Sequence, residues 1–275
     1  MNLYYLGPKG TYSELASKKA LSFLKEDFEL TPVSTIQKTL ELAQKNNCFA
    51  LVPIENSIEG IVRPTIDSLY LSPLKIKAQL EIKIKHCLVS KSNKIEKNKI
   101  KHIISHPQAL AQCSNFILQN FDENIDLINS TSTANAINSL LNLDESYCAI
   151  GSNALAKELN LNILEENIGD IKDNKTRFVL VSSRDLNIKK ETRTSIVFNT
   201  KNKSGALFEI LKIFKKYDLN LVYIESRPSK KTFGEYNFFV DIDKGKDEIK
   251  DALFEIEKNC DYYKLLGSYF ELDFS

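Results

Sequence analysis

Apolar runs and polar turns alternate along the first 185 residues, and a different pattern begins near residue 192. Leu3 to Leu6 reads as a short strand that Gly7-Pro8-Lys9-Gly10 breaks. Thr11 and Glu14 stand at capping-box spacing, so a helix is expected from there to about Phe23. Phe49 to Ile54 is an apolar run of the kind that forms a strand buried on both faces, and it ends in Glu55-Asn56-Ser57. Pro64 suits the first turn of a helix reaching about Leu71. Further strands are expected at His86 to Val89, Ile103-Ile104, Ile125 to Ile128, Tyr147 to Ser152 and the run after Thr176-Arg177-Phe178. Helices are expected after Ser105-His106-Pro107, running through Gln112 and Phe116, after Ser132-Thr133, and near Asn153. Strand and helix alternating in this way predict a mostly parallel α/β sheet system. Two chain crossings, near 80 and near 160, predict two lobes with a cleft: lobe one about 1–80 and 160–185, lobe two about 81–159.

A polar linker at 184–191 leads to the second pattern. It reads strand (Ser195 to Phe198), amphipathic helix, strand (Leu219 to Ile224), strand (Tyr236 to Val240), amphipathic helix (Ile249 to Ile256) and strand (Leu265 to Phe270). Leu207, Ile210, Leu211 and Phe214 mark one face of the first helix. The order β-α-β-β-α-β is the ferredoxin-like split motif, assigned to residues 192–275.

Charge narrows the partners. Lys+Arg of 37 against Asp+Glu of 36 leaves a net charge of +1, which gives no footprint for nucleic acid. The five cysteines are scattered without a Cys-x-x-Cys pair. They read as small core residues in a reducing compartment. No signal peptide or membrane-spanning run is found, so a cytoplasmic protein is expected. No His/Asp/Glu cluster has metal-ligand spacing, and the glycine turn after the first strand is not a P-loop.

The candidate chemistry sits at strand ends, where ligands bind in open α/β sheets. Strand, glycine turn and helix start at Gly10-Thr11 make an anion-site geometry, with an ordinary βα turn as the alternative. Asn56 and Ser57 follow one strand, Ser105 and Gln112 another, and Ser130 to Thr133 offers more hydroxyls than one cap needs. At Thr176-Arg177, a hydroxyl donor and a guanidinium fork suit a carboxylate ligand, or form a simple surface pair.

These segments together carry a family resemblance. Gly7-Pro8-x-Gly10-Thr11-Tyr12-Ser13-Glu14, Val52 to Gly60, Ser105 to Cys113, Ser132-Thr133-Ala134 and Asn174-x-Thr176-Arg177-Phe178 occur in the order seen in prephenate dehydratases. The C-terminal part resembles a phenylalanine-sensing ACT domain, marked by Gly205-Ala206-Leu207 and Glu225-Ser226-Arg227-Pro228. The implied fold is a two-lobed, periplasmic-binding-protein-like catalytic region at 1–185 plus a regulatory ACT domain. The chain starts at the first motif, so a monofunctional enzyme without a fused chorismate mutase is expected. The resemblance implies that prephenate loses carbon dioxide and its ring hydroxyl to give phenylpyruvate, without metal or organic cofactor, in phenylalanine biosynthesis. Thr176 would stand at the leaving hydroxyl. Asn56, Ser57, Ser105, Gln112, Thr133 and Arg177 would hold the carboxylates and ring, with Gly10, Thr11 and Ser132 beside them. Phe178 would pack against the ring or behind the strand. L-Phenylalanine would inhibit by binding at Gly205 to Leu207 and Glu225 to Pro228, and the ACT domain implies a homodimer or homotetramer. Arogenate dehydratase and a non-catalytic two-lobed sensor remain as alternatives.

Overall fold

The computed structural model describes residues 1–24, 27–93, 95–186, 190–229 and 234–272, so the middle of the 184–191 linker lies outside the described residues. The chain opens with β1 (Asn2–Leu6), α1 (Tyr12–Phe23), β2 (Glu29–Val33), α2 (Ile36–Lys45), β3 (Phe49–Asn56), β4 (Gly60–Ile61), α3 (Arg63–Leu71) and β5 (Lys75–Lys83). It then crosses into a second lobe. That lobe holds β6 (His86–Ser90), β7 (His102–Ser105), α4 (Pro107–Ala111), α5 (Ser114–Asn120), β8 (Asp126–Asn129), α6 (Thr133–Ser139), β9 (Tyr147–Ser152), α7 (Asn153–Glu158) and β10 (Asn162–Glu165). The long strand β11 (Lys175–Ser182) returns to the first lobe. The C-terminal domain follows as β12 (Arg193–Asn199), α8 (Ala206–Lys216), β13 (Leu221–Pro228), β14 (Tyr236–Ile242), α9 (Lys250–Lys258) and β15 (Tyr262–Glu271).

The sheets are mixed rather than mostly parallel. In lobe one, β1 pairs parallel with β2 and β3, but β11 runs antiparallel to both β3 and β5. In lobe two, β7 is parallel to β8 and β9, while β6 is antiparallel to β9 and β10. The strands that cross between lobes enter from the opposite end, which the count of βα units does not reveal. The helix expected from Pro107 through Phe116 is broken between α4 and α5. The break frees the Gln112 carbonyl, which accepts from the Asp170 amide at 2.8 Å.

The C-terminal domain continues the first sheet. Strand order runs β13-β14-β12-β15-β5-β11-β3-β1-β2, with β15 pairing antiparallel to β12 and parallel to β5. A Cβ at Gly267 would overlap the Ile76 backbone, so only glycine permits this approach of β15 to β5. Lys264 Nζ locks the junction by donating to the carbonyls of Leu69, Tyr70 and Ser72 at the end of α3. Both faces of the shared sheet are covered. Val52, Val179, Val197, Phe239 and Tyr269 pack in one core under α2 and α3, and Leu51, Leu80, Phe178 and Leu180 pack with Ala16 and Ala20 of α1 in another.

One irregularity in β3 positions the site. Phe178 pairs with Pro53 but Arg177 pairs with Glu55, so Ile54 is an extra residue in the ladder. Such a bulge reverses the facing of every residue beyond it. Without it, strand alternation would send Asn56 to the face that carries Val52. With it, Asn56 joins Thr176 on the α1 face, and Glu55 joins Arg177 on the opposite face.

Candidate active site

A cavity of about 350 Å³ opens between the lobes. Its walls include Thr11, Tyr12 and Ser13 from the start of α1, Asn56 and Thr176 from the two paired strands, and Asn174 before β11. Lobe two contributes His86, His106, Gln108, Gln112, Thr131, Ser132 and Thr133. Uncharged hydrogen-bonding groups dominate, and no Lys or Arg lines it among the described residues.

A hydrogen-bonded chain crosses the floor. Asn56 Nδ2 donates to Thr176 Oγ1 at 3.0 Å and to Asn174 Oδ1 at 2.8 Å. Asn56 Oδ1 accepts from the amides of Ile58 and Glu59, which fixes the amide orientation. Asn174 Nδ2 donates to Gln112 Oε1 at 3.0 Å, and Gln112 Nε2 donates across the lobes to Glu59 Oε1 at 3.2 Å. His86 Nε2 meets the same Gln112 Oε1 at 3.0 Å. That oxygen is an acceptor, so Nε2 carries the His86 proton and Nδ1, buried without a partner among the described residues, is left as a bare acceptor. Burial holds the His86 pKa below the usual imidazole value, against the opposing effect of the Gln112 bond.

The expected site residues divide by place. Asn56, Gln112, Thr176, Thr11, Ser132 and Thr133 line the cavity. Ser132 also caps α6 by accepting from the Asn135 amide at 2.9 Å. Arg177 requires a correction. Its guanidinium is turned to the far side of the sheet, where Nε and Nη2 reach Glu55 Oε2 at 3.0 and 2.9 Å and Nη1 reaches Asp241 Oδ2 at 2.6 Å. Burial opposes its charge, but Asp241, Tyr269 and Glu55 together outweigh burial and raise its pKa above the ordinary value. It therefore cannot fork onto a ligand in the cavity. Phe178 shares the face of Thr176 but lies deeper, packed in the core under α1 and 2% exposed. Of its two readings, the structure selects the one behind the strand.

Ser105 is fully buried, and its hydroxyl donates to the Ile150 carbonyl at 2.6 Å, joining β7 to β9 rather than facing the cavity. Ser57 lies outside the cavity, donating to the Asp173 carbonyl and accepting from the Lys175 amide. Gly10 packs toward Leu155, and its amide donates to Glu14 Oε2 at 2.5 Å, so the anion-site amide expected there is occupied by the Glu14 carboxylate. His86, Asn174, Tyr12 and His106 line the cavity without having been singled out as site residues. Tyr12 bridges the Lys85 backbone, donating to its carbonyl at 2.6 Å and accepting from its amide at 3.0 Å. Among the described residues, no group of His, Cys, Asp and Glu is arranged to hold a metal ion, and no helix is long and apolar enough to cross a membrane.

In the C-terminal domain, the two expected effector motifs come to one end of the sheet. Asn199, which ends β12, pairs with Asn237, and Asn237 pairs with Arg227 of β13. Gly205 starts α8 with φ of 79°, and no side chain among the described residues caps that helix. Among the described residues, the Oδ1 atoms of Asn199 and Asn237 are buried there without partners.

Comparison with known proteins agrees with this architecture. Residues 3–186 match the prephenate dehydratase family and residues 194–259 match the ACT domain. A prephenate dehydratase from Methanocaldococcus jannaschii is 43% identical over 271 residues, covering 96% of each chain. A bifunctional chorismate mutase/prephenate dehydratase from Aquifex aeolicus is 40% identical over 268 residues, covering 96% of this chain and 72% of its own. The crystal structure of a prephenate dehydratase from Arthrobacter aurescens in complex with L-Phe superposes with a TM-score of 0.84 at 33% identity, covering 98% of this chain and 90% of that one. A cleft floored by Asn56 and Thr176, a ferredoxin-like domain joined to its sheet, and matches along nearly the whole length lead to one assignment: this chain belongs to the prephenate dehydratase family.

Proposed function

We propose that this chain converts prephenate into phenylpyruvate, carbon dioxide and water, and that L-phenylalanine inhibits it through the C-terminal domain. The observation that carries the reading is the Asn56–Thr176 bond on the cavity floor. A threonine hydroxyl has one proton to give. With Asn56 donating to its oxygen, that proton is free to point at a ligand. In the reaction, the bond to the ring carboxylate breaks and its electron pair enters the ring. The ring hydroxyl departs and takes up one proton from solvent to become water, and the ring becomes aromatic. Thr176 donates a hydrogen bond to the departing oxygen as it gains charge, where a positioned donor stabilises the transition state most.

With Arg177 on the far face, the two substrate carboxylates are left to neutral donors. The hydroxyls of Thr131, Ser132 and Thr133, and the positive end of the α1 dipole at Tyr12 and Ser13, are the groups available for them. Gln112, Asn174 and His86 brace the floor rather than contact the reacting bond.

Residues 1–185 form the catalytic part in this reading, and 192–275 the regulatory part. The effector's carboxylate would meet the uncapped start of α8, and the unpartnered Asn199 and Asn237 oxygens suit its ammonium. A homodimer or homotetramer fits the exposed apolar side chains of this domain, Phe208, Ile224 and Phe254. The cytoplasm fits a protein whose four buried cysteines are all free thiols.

The test is direct: incubate the purified chain with prephenate or with arogenate, and follow phenylpyruvate and phenylalanine formation. Turnover of prephenate, suppressed by added L-phenylalanine, is expected. Faster turnover of arogenate would identify an arogenate dehydratase, and binding without turnover of either would leave a two-lobed sensor.

A further inference from the structure

We propose that Asp241 is a positioning residue for the reaction: across the domain boundary it holds Arg177 against Glu55, and so sets the Asn56–Thr176 pair in the cleft. The inference rests on the activity proposed above.

Two successive rungs of the β3–β11 ladder face opposite ways. Thr176 lies opposite Asn56 on the cleft side, and Arg177 lies opposite Glu55 on the side of the C-terminal domain. The rungs are one residue apart, about 3.3 Å along the strand. The Arg177 side chain is 7% exposed, and Gln79 accepts from its Nη1 at 3.2 Å. Asp241 is held in turn: its Oδ1 accepts from Ser195 Oγ at 2.5 Å, and that hydroxyl lies 2.7 Å from the buried Tyr269 hydroxyl. The carboxylate facing Arg177 is thereby fixed by β12, β14 and β15 together.

A buried charge cannot leave its partner without a large penalty. A shift of β14 against β11 must therefore either carry the Arg177–Glu55 rung with it or break the pair. Movement of that rung moves the next one, and a misplacement of about 1 Å at reacting groups can cost about a hundredfold in rate. The other end of the network lies near the effector motif. Tyr223 stands opposite Asp241 on β13, two residues before Glu225 of the same strand. Static docking does not require this arrangement, since apolar residues of similar size commonly serve a buried interface as well as an ion pair does.

The test uses the full chain. Asp241→Asn should lower kcat about tenfold or more with KM within about twofold, and should weaken inhibition by L-phenylalanine. In a Thr176→Ala background the same change should cost less than about twofold, because the group it positions is gone; a loss of stability alone would give the same factor in both backgrounds. The triple replacement Arg177→Met, Asp241→Leu and Glu55→Gln, which leaves no carboxylate of the group without its cation, guards against misfolding. It should melt near or above the parent temperature and still show the kcat loss. Parent-like kcat and inhibition in that triple variant would overturn the proposal, as would an undiminished Asp241→Asn effect in the Thr176→Ala background. A parent protein inactive on prephenate would overturn the proposed activity and this inference together. An active parent with an equally active Asp241→Asn variant would overturn this inference alone.

Discussion

The bond between Asn56 and Thr176 runs one way: the amide donates, the hydroxyl accepts at 3.0 Å, and the threonine proton remains available to the cleft. The direction is fixed by the Ile58 and Glu59 amides, which occupy Asn56 Oδ1. Thr176→Ala should therefore lower kcat on the order of a hundredfold, about 3 kcal/mol, with a much smaller change in KM. Thr176→Ser keeps the donor and should recover most of the rate. Near-normal turnover in the alanine variant, measured by phenylpyruvate formation, would remove Thr176 from the chemistry.

His86 makes stability depend on pH. Its folded pKa lies below the unfolded value of about 6.5, so below that pH the unfolded chain takes up a proton that the folded chain resists. Stability should fall as pH drops from about 6.5 toward the folded pKa, and His86 should contribute no pH dependence above that window. Melting temperatures recorded between about pH 5 and 8 should show this slope. His86→Gln should flatten it, and an unchanged slope in that variant would assign the effect to another group.

Ser105→Ala should act on the fold rather than on the chemistry. It leaves the Ile150 carbonyl without its donor at a fully buried site, at a cost of about 1–3 kcal/mol. A lower melting temperature with kcat reduced less than about threefold is expected once folded protein is counted. A hundredfold loss of kcat in a fully folded variant would return Ser105 to the cleft.

Gly205→Val should abolish binding of L-phenylalanine by calorimetry. The position has open space for a side chain, so the obstacle is conformational: φ of 79° is unfavourable for a β-branched residue. Normal binding in this variant would move the effector site elsewhere.

Much of this architecture was legible in the chain. Thr11 caps α1 through the Glu14 amide as their spacing implies, although the Glu14 carboxylate returns to the Gly10 amide instead of to Thr11, and the split β-α-β-β-α-β order stands in the C-terminal domain. Arg177 was misplaced because neighbouring residues in a strand must face opposite ways, so it could not share the cleft with Thr176. That signal was in the sequence. Its partner was not: nothing local links Arg177 to Asp241, 64 positions away. The bulge at Ile54 was equally hidden, since a continuous apolar run shows no break in alternation where both faces are buried. His86 starts an expected strand, and an isolated histidine in an apolar strand carries no mark of the Gln112 amide that meets it.

The pairing of β15 with both β12 and β5 bears on any attempt to dissect the protein. Cutting the chain near Thr192 would not release a ready-made catalytic fragment. It would leave β5 with a row of open backbone donors and acceptors and, beside it, an apolar surface at Ile76 that Leu266 and Tyr269 now cover. Such an edge recruits strands from other copies. It would also leave Arg177 with half of its counter-charges. The fragment should precipitate or self-associate, and a phenylalanine-insensitive enzyme is better sought through point changes in the whole chain than with scissors.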